Sequence, residues 1–146
     1  MAYTFSSAGL VKAVQDAVNN GTLKIAKFVF DAGVTANRTI GAHGTGIKIP
    51  GGSLVLGGMI TVDTAFKSGT EDAATIAISV ESAGDIKAAV TAASGYTTGK
   101  KAIVPKINTP EETSILLSQE REITCTVAVE ALTAGKLHGF LIYVAP

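Results

Sequence analysis

The chain has 146 residues, of which 47% are hydrophobic, so it can build the core of one domain and does not have the composition of a disordered chain. Its 12 basic and 12 acidic residues give a formal net charge of zero, which argues against nucleic-acid binding because such proteins usually carry a basic excess. Aromatic residues are scarce, whereas Thr, Val, Ile and Gly are frequent, as in all-β domains with many turns.

The first segment, residues 1–21, is predicted to be a helix or arm that precedes the β domain. Residues 8–18 place apolar side chains at helical spacing, with Ser6 or Ser7 as the N-cap and Gly21 as the left-handed stop. Two interpretations remain open: the helix packs on its own domain, or the segment is an arm that docks on a partner. The candidate interface residues of this segment are Tyr3, Phe5, Leu10, Val11, Val14 and Val18.

Strand patterns begin directly after this segment. In residues 23–30 the apolar side chains change face near Ala26, which predicts a bulge or a strand buried on both faces. Residues 53–66 form the longest alternating segment, and its central Gly-Gly pair predicts a bulge or a close backbone approach. Residues 75–80 and 86–90 alternate on either side of a five-residue connection, which predicts a β-hairpin.

The last quarter of the chain, residues 121–144, predicts a second β-hairpin. The odd-numbered residues from 123 to 129 are apolar and alternate with polar ones, so we expect Cys125 and Val129 on the buried face of one strand. Residues 136–144 end apolar on both faces, as central strands do. We expect this strand to run deep into the body or into a neighbouring subunit. Its candidate interface residues are Phe140, Ile142 and Val144.

Together these patterns predict an all-β domain over residues 22–146. About eight strands separated by turns favour an antiparallel β-sandwich or jelly roll, because a closed or doubled sheet removes exposed edges. The alternative is an open antiparallel sheet packed on the N-terminal helix.

No residue pattern indicates an active site or a cofactor. The only histidines are His43 and His138 and the only cysteine is Cys125, so a zinc site would need residues that are far apart in sequence to meet. We expect the histidines to be surface or structural residues and Cys125 to be a small buried apolar side chain. No P-loop, nucleophile elbow or calcium-binding loop is present. The sequence therefore predicts a protein that is not an enzyme and has no catalytic residues, cofactor or metal.

The start of the chain lacks a basic and then apolar signal sequence, so we expect synthesis and folding in a cytoplasm. Apolar runs are far shorter than the ~20 residues that span a bilayer. We therefore expect no membrane partner.

Five short runs of strand-and-turn sequence lie between residues 47 and 144: IKIPGGS (47–53), TVDTAF (61–66), DAATIAI (72–78), AGDI (83–86) and ALTAGKL (131–137). They resemble small structural proteins of tailed-bacteriophage virions, in particular the capsid decoration proteins, also called cement or auxiliary head proteins. The runs contain no catalytic residues.

The resemblance implies a β-sandwich or jelly roll that binds the outside of the phage head as a homotrimer, at local threefold positions. Its partners would be the major capsid protein, whose shell it stabilises, and its own copies, and no nucleic acid. Its location would be the capsid surface of the virion, after synthesis in the host bacterial cytoplasm. The alternatives are a tail, fibre or head–tail junction module, or a carbohydrate-binding jelly roll for host attachment, although the absence of Trp argues against the last.

Overall fold

Nine strands and two α-helices make up most of the chain that the structure, a computed structural model, describes, namely residues 7–103 and 114–146. None of these helices is long and apolar enough to cross a membrane. The helices are α1 (Ser7–Asn20) and the one-turn α2 (Ala92–Gly95), with a 3₁₀ turn at Thr35–Arg38. The strands are β1 (Leu23–Asp31), β2 (Gly41–Ile49), β3 (Leu54–Ser68), β4 (Thr75–Ser79), β5 (Lys87–Thr91), β6 (Gly99–Ile103), β7 (Ile115–Leu116), β8 (Arg121–Ala128) and β9 (Leu132–Val144).

The strands form two antiparallel sheets that pack as a sandwich. Sheet A has the order β1-β9-β3-β6, with the short β7 also paired to β3, and sheet B has the order β2-β8-β4-β5. With β7 set aside, the first strand pairs with the last, the second with the last but one, and so on inward to β4 with β5. This nested pairing is that of a jelly roll. The predicted sandwich or jelly roll is confirmed, with nine described strands where about eight were expected.

Aromatic side chains fill the centre of the core and tie the two sheets together. The Phe30 and Phe66 rings of sheet A stack with their centroids 5.9 Å apart, and Tyr96 meets the Phe66 ring edge-on at 5.7 Å. The Tyr96 hydroxyl donates a hydrogen bond of 3.1 Å to the carbonyl of Ile76 in sheet B. Other large, fully buried side chains are Phe28, Ile49, Ile60, Ile78, Ile86, Leu117, Ile123 and Leu137.

Strand β9 lies inside sheet A, between β1 and β3. Its inner side buries Leu137 and Leu141, while Phe140 and Ile142 are half-buried on its outer side. The prediction of a central strand with two apolar faces is therefore confirmed.

The predicted hairpin over residues 121–144 is wrong, because β8 pairs with β2 and β4 whereas β9 pairs with β1 and β3. The short connection carries the chain from one sheet to the other. Within it, Val129 has a φ of +72° and is exposed rather than buried. Glu130 fixes this corner by accepting hydrogen bonds from the Ser68 hydroxyl (2.7 Å) and the Ala73 N–H (3.0 Å). Alternation along a strand identifies the face on which each side chain lies. It does not identify which other strand pairs with that strand.

Strand β1 also differs from its prediction. Ala26, Phe28 and Phe30 form one buried face, and the pairing with β9 has no register break. Ile25 and Val29 point to the other side and are exposed. The change of face predicted near Ala26 is therefore wrong. Because β1 carries apolar residues on its outer face as well as on its buried face, its sequence has the same pattern as a strand whose buried face changes.

Two other strand predictions are confirmed. The pairing of β3 with β9 shifts register between Val55 and Gly57, where a bulge was expected. Strands β4 and β5 pair antiparallel as the predicted hairpin, and Ile76, Ile78 and Val80 are buried.

Helix α1 forms where it was predicted and ends at Gly21, which has a φ of +69°. Ala17 is buried, whereas Val11 and Val18 are exposed and Val14 is half-buried. The valine stripe therefore does not lie in the core of its own sandwich.

Candidate interaction surface

The outer side of sheet A carries apolar side chains from three adjacent strands. On β1 and β9, Ile25 is in register with Ile142, and on β9 and β3, Phe140 is in register with Met59. Side chains in register on neighbouring strands have Cβ atoms roughly 4.5–5.5 Å apart, so they form one continuous patch. We call this patch the apolar face; its residues are Ile25, Val29, Met59, Phe140 and Ile142.

Much of the apolar face is open to solvent. The exposed fractions are 59% for Ile25, 52% for Val29 and 37% for Met59, and Phe140 and Ile142 are half-buried. Single exposed apolar residues are common, but a contiguous patch with a polar border marks an interaction site.

Charged side chains lie within and beside the apolar face. Lys27 is in register with Phe140, so its exposed side chain lies within the patch. Towards one end, Nδ1 of His138 lies 2.8 Å from Oδ2 of Asp63. Exposed pairs of this kind contribute little stability, but they can set the orientation of a partner.

The outer side of sheet B has a different chemistry. Its neighbouring strands present small side chains, among them Ala42, Ala77 and Thr126, which are in register across β2, β8 and β4. A shallow depression of about 320 Å³ lies here. Because small residues offer little apolar area, the asymmetry between the sheets makes sheet A the better interface.

A cleft of about 520 Å³ opens where the edge strands β1 and β2 face each other, with β9 beside them. Phe28, Ile47 and Phe140 supply apolar lining, and Lys27 and Val29 come from β1. The cleft therefore adjoins the apolar face, with which it shares Val29 and Phe140.

The structure brings together part of the predicted interface. Phe140 and Ile142 belong to the apolar face, and Val144 follows them on the same side of β9, half-buried and in register with Leu23. Val11, Val14 and Val18 lie on α1. Tyr3 and Phe5 lie outside the described residues, as does the side chain of Leu10.

The sequence analysis missed Ile25, Val29 and Met59 as surface residues. The available signal was that residues 25, 27 and 29 alternate on one face of their strand. A second signal was that residues 136–144 were already expected to form a strand that is apolar on both faces. The pattern of Ile25 and its neighbours instead predicted a bulge or a strand buried on both faces.

The three side chains considered for zinc are not brought together. His43 is in the inter-sheet region, where its ring lies 6.1 Å from that of Phe30 and its Nε2 lies 2.7 Å from the Thr39 carbonyl oxygen. His138 lies on the outer side of sheet A. Cys125 is fully buried as predicted, and burial raises the pKa of its thiol to about 12. Within residues 7–103 and 114–146, no group of three His, Cys, Asp or Glu side chains is placed to hold a metal ion.

Charged groups away from the apolar face serve the fold. The Arg121 guanidinium donates to Glu81 at 2.9 Å and, as the largest cause, lowers the pKa of that carboxyl to about 2. This ion pair ties the loop between β4 and β5 to the start of β8. The nearby Asp85 carboxylate is buried and accepts three backbone N–H groups of the same loop.

Chains of three solved phage capsids share this fold. A chain from the capsid asymmetric unit of cyanophage Pam1 has a TM-score of 0.58 and 17% identity, with 85% of each chain covered. A chain from the acid-stable capsid of Helicobacter pylori bacteriophage KHP30 has a TM-score of 0.59 and 10% identity over 86% of this chain and 89% of that one. A chain from the capsid of Ralstonia phage GP4 has a TM-score of 0.54 and 15% identity, with 86% of each covered.

No protein-family model and no curated protein matches the sequence. At identities of 10–17%, the likeness to the three capsid chains concerns the fold. The chain thus shares its jelly roll, over nearly its whole length, with chains from phage capsid structures.

Proposed function

We propose that this protein is a structural, non-enzymatic component of a phage virion that decorates the outside of the head. The observation that carries the proposal is the jelly roll shared over at least 85% of both chains with three chains from phage capsid structures. The resemblance of residues 47–144 to decoration proteins favours head decoration over the other roles that a protein of a phage capsid could have.

The apolar face is the surface that we assign to shell contact. Burying a side chain of the size of Ile25 or Phe140 contributes roughly 1.5–3 kcal/mol, so a few such residues give a useful but moderate contact. The border that includes the His138–Asp63 pair would then fix the orientation on the shell.

Trimer formation converts moderate contacts into firm attachment. Three copies joined in a homotrimer would engage neighbouring major capsid protein subunits at once, and joint engagement raises avidity by roughly 10²–10⁴. Any motion that separates those subunits must break the contacts, so the bound trimer stabilises the shell. We expect binding to assembled, expanded capsids and not to free major capsid protein, since only the shell presents all contacts together.

Co-sedimentation with expanded, undecorated capsids of the same phage tests the proposal. We expect the wild-type protein to pellet with the shells and Ile25→Glu to bind at least ~10-fold more weakly, because a charge would be buried in the contact. Ile40→Glu is the matched control, since Ile40 is 60% exposed against 59% for Ile25 and lies outside the apolar face.

Failure of the wild-type protein to pellet with shells would contradict the proposal. A sixfold or twelvefold ring in solution would indicate a head–tail junction protein instead. Binding to host glycans without binding to shells would indicate a host-attachment module.

A further inference from the structure

Lys27 places a positive charge among the side chains of the apolar face. On β1 it lies between Ile25 and Val29, which point to the same side of the strand, and its register partner on β9 is Phe140. Charged residues are depleted in the cores of protein interfaces, because burying an ammonium group costs free energy unless an anion pairs with it. A partner that covers the apolar face must therefore either leave this ammonium group in water or supply its counter-charge.

Lys27 has no counter-charge of its own within the part of the chain that the structure describes. Two neighbouring basic side chains on β9 do have one. Nζ of Lys136 lies 3.7 Å from Oδ2 of Asp31. Nδ1 of His138 lies 2.8 Å from Oδ2 of Asp63. Lys27 forms no ion pair with any described residue. Inside a contact, its counter-charge has to come from the partner.

The cleft between β1 and β2 gives an incoming acidic side chain room beside Lys27. Lys27 lines this cleft together with the apolar side chains of Phe28, Ile47 and Phe140, and the volume is about 520 Å³. An apolar pocket with a few polar groups is typical of a binding site. Apolar walls keep water away, which strengthens an ion pair that forms between them. His138 also lines the cleft but is already bonded to Asp63, so Lys27 is the cation left for a ligand.

The charge of this site matches a carboxylate better than a phosphate. A phosphate group carries about two negative charges and is usually held by several donors, arginine among them. The described lining of the cleft contains no arginine, and Lys27 is its one lysine. A carboxylate has a single negative charge, and the side chain of Asp or Glu brings it on a short stem that fits between apolar neighbours.

We propose that the surface that covers the apolar face carries an aspartate or glutamate among apolar residues, and that its carboxylate pairs with Lys27 beside the cleft. The partner is the assembled shell, so the inference rests on the proposed function and adds the chemistry of the contact. Burial of the apolar residues supplies most of the attraction. The ion pair selects the orientation of the domain and rejects apolar surfaces that lack the acid, because these would bury the ammonium group unpaired.

Removing the charge of Lys27 without shortening its side chain tests this pairing. In co-sedimentation with expanded, undecorated capsids of the same phage, we expect Lys27→Met to bind at least ~10-fold more weakly than the wild type. The reason is that the partner's carboxylate would be left in the contact without a counter-charge. Lys24→Met is the matched control and should bind like the wild type. Lys24 is also exposed on β1, but it lies three residues from Lys27 and so points to the other side of the strand.

Carbodiimide coupling of the wild-type protein on the shells identifies the acid. The reagent joins an amine and a carboxylate that are already in contact into an amide, with loss of water. Mass spectrometry of the digested complex should find Lys27 joined to an Asp or Glu of the shell protein. The same coupling with Lys27→Met should lose this product.

Binding of Lys27→Met that equals or exceeds that of the wild type would overturn the inference, because the ammonium group would then extend past the edge of β1 into water. The proposed function would still stand, since the wild-type protein pellets with shells in that case. Coupling of Lys27 to an acidic residue of a second copy of this chain would overturn the choice of the shell as partner. A wild-type protein that does not pellet with shells would contradict the proposed function and this inference with it.

Discussion

Replacing Asp85 with Ala should destabilise the β4–β5 hairpin more than any surface substitution. The Asp85 carboxylate is 6% exposed and accepts hydrogen bonds from the N–H groups of Val80 (2.8 Å), Glu81 (3.0 Å) and Ser82 (2.9 Å). A hydrogen bond to a charged group contributes about 1.5–3 kcal/mol. Water can replace the carboxylate at the exposed Ser82 but not at the buried Val80. We therefore expect a loss of about 2–4 kcal/mol in the free energy of unfolding.

Urea unfolding followed by far-ultraviolet circular dichroism measures this loss. The midpoint should fall while the slope with urea concentration stays the same, because the area exposed on unfolding is unchanged. The control is Ser82→Ala, whose exposed side chain should matter by less than about 0.5 kcal/mol. If Asp85→Ala and Ser82→Ala were equally stable, the carboxylate could not be what holds this loop.

Three further predictions concern the core and its charges. Tyr96→Phe removes one buried hydrogen bond, to Ile76, and should cost about 1 kcal/mol of unfolding free energy by the same assay, whereas no loss would mean that this bond is not formed. Because Arg121 lowers the Glu81 pKa from 4.5 to about 2, the pair stabilises the fold above pH 4.5, and its contribution is lost as the pH falls towards 2. The stability difference between the wild type and Glu81→Gln should therefore shrink over that range, and a difference independent of pH would contradict the assignment. Cys125, with its pKa raised to about 12 by burial, should react with a thiol reagent only after unfolding, and rapid labelling of the native protein would contradict its burial.

The sequence was most informative for features that depend on residues close together in the chain. A strand that is apolar on both sides is typical of the middle of a sheet, and β9 does lie between β1 and β3. The glycine at the bulge of β3 and the left-handed Gly21 after α1 were also predictable, because these conformations favour glycine.

The assignment of strands to sheets depends on residues far apart in the chain. Strand β1 finds its partner more than 100 residues away, where Phe28 is in register with Gly139. Strands β8 and β9 look like a hairpin because they are adjacent in sequence and both alternate, but the jelly roll sends them to different sheets. Local alternation contains no information on which of these pairings is more stable.

The candidate surface was only half predictable for the same reason. Phe140 and Ile142 stood out because their strand was apolar on both sides. Ile25, Val29 and Met59 complete the apolar face only because β1 and β3 flank β9.

The most direct test of the proposed head decoration is a cryo-electron microscopy map of intact virions that contain this chain. The jelly roll should appear on the outer surface of the head, three copies at each local threefold position, with sheet A towards the major capsid protein. Heads without this density at those positions, or density for the jelly roll only in the tail or at the head–tail junction, would contradict the account.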